Sequence, residues 1–196
     1  MKKYKLNCNI NGVEKGVIIS EEDSIRAVVN DYKTLLRIYN PKYVDIKRLK
    51  TEDGEWMHLK ITVHAKSHYL CDSTDRTPKK CNQMSIHIIV YKGYPLRGIR
   101  AFYDSNRYLA SPNVFTNGGA RIDTWQPLKS NLSTVVEKTV NDMIHNPTVT
   151  KYESPANPGM IEWHKKGVKS GAFPTIHPRL LYRSEEVALP TQRKKA

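Results

Sequence analysis

The chain has 196 residues, 39% of them hydrophobic, three cysteines and a formal charge of +13. That length suits one domain with tails. No apolar run approaches the roughly 20 residues that cross a bilayer, and three cysteines behind a basic start without an apolar signal segment do not make a disulfide framework. A cytoplasmic protein without a membrane partner is expected. Its charge suits an acidic protein face or a nucleic acid, or it is simply a solvated basic surface.

Residues 4–19 alternate, with Tyr4, Leu6, Cys8 and Ile10 on one face, and Asn11-Gly12 offers the positive φ angles of a tight hairpin turn. Val13 to Ile19 returns as the second strand. Ser20 opens a helix, with Asp23 three residues on as in a capping box and Glu21 and Glu22 at the positive end of the dipole. Ile25, Val28, Val29, Tyr32, Leu35, Leu36 and Tyr39 follow the helical period, and Asn40-Pro41 ends it. Arg26, Lys33 and Arg37 fall on its outward face, which is either solvated or a docking surface.

Four strands are expected next: Tyr43 to Leu49, Trp56 to His64, a segment holding Met84, Ile86, Ile88 and Val90, and Gly98 to Tyr103. Short links make an antiparallel meander the natural topology. The polar loop between the second and third strands holds His64, His68, Cys71 and Cys81. These are zinc-binding residue types, but their spacing matches no common zinc module. Loop residues or a Cys71–Cys81 redox pair are the other readings, and the sequence assigns no metal or cofactor.

Beyond Trp125-Gln126-Pro127 a second helix is capped by Ser130 or Asn131 and carries Leu132, Val135, Val136, Val140, Met143 and Ile144 in one stripe, ending at His145-Asn146-Pro147. Asn157-Pro158 opens a short third helix with Met160, Ile161 and Trp163, which Gly167 closes. From Val168 the prolines and glycines give an irregular tail with a short helix near Glu185, and its end, Arg193-Lys194-Lys195, is expected to be disordered.

Between Tyr94 and Pro147 the motifs fall in a distinctive order: Tyr94-Pro95-Leu96, Ser111-Pro112-Asn113, Asn117-Gly118-Gly119, Ile122-Asp123 and Trp125-Gln126-Pro127. This order resembles the core of the ubiquitin-conjugating enzymes, with their Tyr-Pro-Phe turn, His-Pro-Asn corner, catalytic cysteine eight residues after that asparagine, Leu-Asp and Trp-Ser-Pro. The resemblance spans about residues 20–165, and its shortened loop before the tryptophan fits bacterial members. It implies an α+β, UBC-like domain over 20–167, a four-stranded antiparallel meander sheet flanked by helices. An extra N-terminal hairpin (1–19) and an irregular basic tail (168–196) depart from the family.

In that family the cysteine holds a ubiquitin-like protein as a thioester. Counting eight from Asn113, or back from Ile122-Asp123, gives Arg121, and guanidinium is no nucleophile. The resemblance implies that Asn113 orders the loop or supports an oxyanion, although a turn asparagine is the plainer reading. Asp123 is implied to orient an incoming lysine, or is only a surface carboxylate. Tyr94, Pro95, Leu96, Trp125 and Pro127 are implied as a ligase-facing surface, with Trp125 otherwise a packing aromatic, and Arg26, Lys33 and Arg37 meet an activating enzyme. Gly118 and Gly119 serve the backbone through positive φ.

Three explanations stay open: a noncatalytic variant, an active enzyme whose cysteine has been substituted, or an oxyester on Thr116 or Thr124. The implied partners are a ubiquitin-like protein, its activating enzyme, and a ligase or target; nucleic acid is not expected. The alternative is a basic, noncatalytic α+β interaction module, RWD-like or nucleic-acid-binding.

Overall fold

The computed structural model describes residues 2–10, 13–72, 74, 77–104, 106–122 and 130–183, those at 7–10 and 13–15 by backbone alone. Strands β1 (Lys3–Ile10) and β2 (Val13–Ser20) pair antiparallel from Lys3↔Ser20 to Ile10↔Val13. The expected turn residues Asn11 and Gly12 lie outside the described residues. Ser20 ends β2 and caps helix α1 (Glu21–Ile38), accepting the Asp23 backbone N–H on its hydroxyl at 3.0 Å. The hairpin sits on the body of the protein through Tyr4, which meets Trp56 edge to face at 6.4 Å. A Cβ on Gly93 would lie 3.2 Å from the Tyr4 ring.

The apolar arc of α1 is wider than the face it buries. Ser24, Val28 and Leu35 are buried, with Tyr39 at the cap, whereas Ile25, Val29 and Leu36 are 41%, 37% and 43% exposed. The Trp56 indole donates to the Ser24 hydroxyl at 2.9 Å, which turns the serine flank inward and leaves those three side chains outside.

The meander is as its alternation predicts. Strands β3 (Val44–Leu49), β4 (Glu55–Val63), β7 (Met84–Tyr91) and β8 (Ile99–Phe102) form an antiparallel sheet in the order β3-β4-β7-β8. Met57, Leu59, Ile61 and Val63 share the buried face with Ile86, Ile88, Val90 and Ala101. Into the expected polar loop the chain inserts β5 (Ser67–Leu70) and β6 (Lys79–Cys81), which join β9 (Tyr108–Leu109) in a second sheet of order β6-β5-β9.

Helix α2 (Leu132–Met143) is capped by Asn131, whose side chain accepts the Thr134 N–H at 2.8 Å. All six residues of its expected stripe are buried, but so are Thr139, Asn141 and Asp142. It is therefore a central helix, covered on the flank its polar residues would have kept wet.

Helix α3 (Ile161–Lys169) runs through Gly167 and ends at Ser170. Gly167 does not close it; a Cβ there would lie 2.2 Å from the Phe173 ring, so the glycine admits that ring against the helix. The segment after it is irregular but packed. Leu181 is buried, Tyr182 stacks on Tyr39 at 5.4 Å, and the Arg183 N–H donates to the Ile38 carbonyl at 3.0 Å. Glu185 and the terminal basic cluster lie outside the described residues. No described helix is long and apolar enough to cross a membrane.

Candidate functional site

The Ser111-Pro112-Asn113 corner is held from three sides. Asn113 is 1% exposed. Its amide nitrogen donates to Asp142 Oδ1 at 3.2 Å and to the Val149 carbonyl at 3.1 Å, and its Oδ1 accepts the Lys151 N–H at 3.2 Å. The Ser111 hydroxyl donates to the same Asp142 oxygen at 2.7 Å. The Pro112 carbonyl accepts N–H groups from Ala156 at 2.7 Å and Asn157 at 3.0 Å. Burial raises the Asp142 carboxyl to about 6, against the opposing pull of the Ser111 and Asn113 hydrogen bonds.

The chain then doubles back along the edge of β8. Gly118 takes φ +82°, and a Cβ there would lie 3.0 Å from the Tyr103 carbonyl oxygen. Gly119 has no positive φ; a side chain there would crowd Asn117 Oδ1 at 3.1 Å. The Tyr103 N–H donates to the Gly118 carbonyl at 2.8 Å, and the Ala120 N–H to the Ala101 carbonyl at 3.0 Å. This clip delivers Arg121 to the corner, where its N–H donates to the Asn113 carbonyl at 2.8 Å. Its guanidinium reaches across to the Ser154 hydroxyl at 2.9 Å. The corner thus lies between two segments that it holds by hydrogen bonds, residues 120–122 on one side and 149–157 on the other, and the Arg121 side chain joins the two.

Asn113 and Arg121 are brought together through the backbone. Both amide protons of Asn113 are already committed, so none is left for an oxyanion; its side chain orders the corner. Tyr94 and Leu96 are 1% and 2% exposed, so they are core rather than a docking face, and only Pro95 is half-exposed. The Tyr94 hydroxyl donates to the Asp31 carboxylate of α1 and accepts the Leu132 N–H at 2.7 Å. Arg26, Lys33 and Arg37 are exposed, and Arg26 is engaged by Glu22 at 2.9 Å and Asp23 at 3.5 Å. Asp123, Trp125 and Pro127 lie outside the described residues.

The loop of metal-type residues is dispersed. His64 is exposed, His68 faces His145 at 3.3 Å, and Cys71 accepts a hydrogen bond from Lys79 Nζ at 3.0 Å. Among the described residues no group of three His, Cys, Asp or Glu side chains is placed to hold a metal ion.

Sequence reading missed Asp142 and Ser154. Asp142 is one of two acids in an amphipathic helix, where solvation is the ordinary expectation; only its spacing of seven from Val135 hinted at burial. Ser154 carries no sequence signal. No family model matches the chain, and no curated protein matches it.

Proposed function

We propose that this protein is a noncatalytic relative of the ubiquitin-conjugating enzymes, which binds a ubiquitin-like protein rather than carrying it as a thioester. The observation that supports this most directly is the 2.8 Å hydrogen bond from Arg121 to the Asn113 carbonyl. It joins the Pro-Asn corner to the position eight residues on, which is the relationship a conjugating enzyme needs between its corner and its nucleophile. The order of one helix, a four-stranded meander, this loop and two helices is consistent with the same reading.

The chemistry at that position has changed in kind. Thioester formation requires a thiolate, and Arg121 offers a permanent cation with a planar fork of donors. A planar fork of donors suits a carboxylate, and the C-terminus of a ubiquitin-like protein ends in one. In this reading the corner keeps its place beside the acceptor position, and a covalent acceptor is replaced with an electrostatic one. The exposed Arg37 and Lys33 of α1 add a basic face for an acidic partner.

The test uses two measurements on the full chain. The parent protein binds a ubiquitin-like protein reversibly, and the binding weakens when that protein's C-terminal carboxylate is amidated. Arg121→Cys, supplied with the ubiquitin-like protein, its activating enzyme and ATP, forms an adduct that a reducing agent releases. Absence of both the reversible binding and the adduct removes the proposal. An RWD-like module has no use for the Asn113–Arg121 relationship and should give neither result.

A further inference from the structure

The face of the main sheet opposite the core carries a row of rings across three strands. His58 in β4, His87 in β7 and Phe102 in β8 stand side by side. His58 Nε2 and His87 Nδ1 are 3.0 Å apart, and His87 stacks on Phe102 with ring centres 5.3 Å apart and planes at 19°. Arg100 lies over the Phe102 ring at 5.0 Å. At the β8 edge of the sheet, a cleft of about 710 Å³ is lined jointly by this strand and the 115–122 loop bonded to it. Its walls include Arg100, Phe102, Phe115, Asn117 and Ile122. Phe115 is 45% exposed, an unusual position for a phenylalanine in a turn that Gly118 and Gly119 already shape.

We propose that this cleft and the adjoining sheet face bind single-stranded nucleic acid. The cleft falls in the size range of small-ligand sites, and it pairs two aromatic rings with a guanidinium. Bases stack on rings whatever their sequence, and an arginine beside the ring adds attraction to base and phosphate alike. The neighbouring positions supply a path for the backbone: Lys60 lies opposite His87 in the strand register, and Arg107, over Tyr69 at 4.8 Å, lines a small pocket together with Lys60. The acid at this end, Asp104, faces His87 Nε2 at 3.6 Å. The net charge of +13 makes the approach of a polyanion favourable over the whole surface. This departs from the sequence expectation, because Arg100, Phe102 and Phe115 are brought to one cleft only by the turn at Gly118. It does not depend on the reading of the 113–121 corner.

The experiment is fluorescence anisotropy of the full-length protein with a labelled oligo-uridylate and with a duplex of equal length, over a series of salt concentrations. Single strand binds more tightly than duplex, and its affinity falls with salt. Phe115→Ala weakens single-strand binding about fivefold or more, with the salt slope unchanged and the thermal melting curve that of the parent. Phe115→Leu, which keeps apolar bulk and removes the ring face, gives a similar loss. Arg100→Gln reduces the salt slope by about 0.7, the share of one phosphate contact to a single strand. No binding at low salt overturns the proposal. So does equal affinity for duplex and single strand, or single-strand binding indifferent to both Phe115 variants.

Discussion

Asp142 and Asn113 hold each other inside the protein: the buried carboxylate of α2 accepts the amide proton of the corner asparagine at 3.2 Å. The same oxygen takes the Ser111 hydroxyl, so one acid fixes both ends of the corner. Removing it leaves two buried donors unsatisfied. Asp142→Ala is expected to cost about 2–4 kcal/mol in chemical denaturation, whereas Asp142→Asn keeps an acceptor in place and costs less. The pH dependence separates them further. The folded-state pKa is raised to about 6 from 3.8, so the folded protein holds this proton more tightly than the unfolded chain. This group's contribution to stability is therefore largest in acid and declines as pH rises from about 4 to about 6. Asp142→Asn should lack that decline when melting is followed across this range.

The histidines packed just beyond this same end of α2 work in the opposite sense. His145 and His164 are buried in a cluster with His68, Trp163 and Phe173; the His145 and Phe173 ring centres are 4.4 Å apart. Burial holds His145 well below its ordinary value and His164 down to about 4, and the Tyr152 hydroxyl lies 2.7 Å from His164 Nδ1. In the unfolded chain both take protons near 6.5. Their contribution is complete above that pH and is lost as pH falls towards about 4. Melting temperature should drop between pH 7 and pH 5, and His164→Gln should flatten part of that drop. An unchanged slope in the variant would remove His164 from the account.

Gly167 stands in the interior of α3, where alanine is ordinarily better by about 1 kcal/mol. Here the added methyl would meet the Phe173 ring at 2.2 Å, and that ring is packed against His145, Trp163 and His164. Gly167→Ala is expected to destabilise by about 1–3 kcal/mol. Gly167→Ala combined with Phe173→Leu should recover part of the loss. A more stable single variant would show that the ring moves freely.

Tyr94 joins the two main helices through one hydroxyl, donating to Asp31 and accepting the first N–H of α2. Tyr94→Phe removes the bond to Asp31 and one of the two acceptors of the Leu132 N–H, which keeps Asp31 Oδ2 at 3.2 Å, at a cost of about 1–2 kcal/mol. Because the side chain is buried, the same variant should bind any partner of the Arg121 site as the parent does at temperatures where both are folded.

The sheet order and the Ser20 cap were legible in the sequence, and the cap of α2 was narrowed to Ser130 or Asn131, because each rests on a short-range pattern: alternation, or a cap three residues from its donor. The small sheet was not. Its strands run two to four residues, too short for a period of two to stand out from chance. Helix α1 shows a different limit. Periodicity identified its apolar arc, but which edge of that arc is buried depends on Trp56 reaching Ser24 from another strand. Tyr94 and Leu96 misled because the resemblance implied a docking face there, whereas contacts such as those of Tyr94 with Asp31 and Leu132 draw the turn inward.

The bridge from Arg121 to Ser154 makes this arginine a latch as well as a charge. Replacing it with cysteine does two things at once: it installs a thiol and it unfastens the two segments beside the corner. Arg121→Ala unfastens without installing. Only the difference between those two variants reports on chemistry, and whatever they share reports on the lost bond to Ser154.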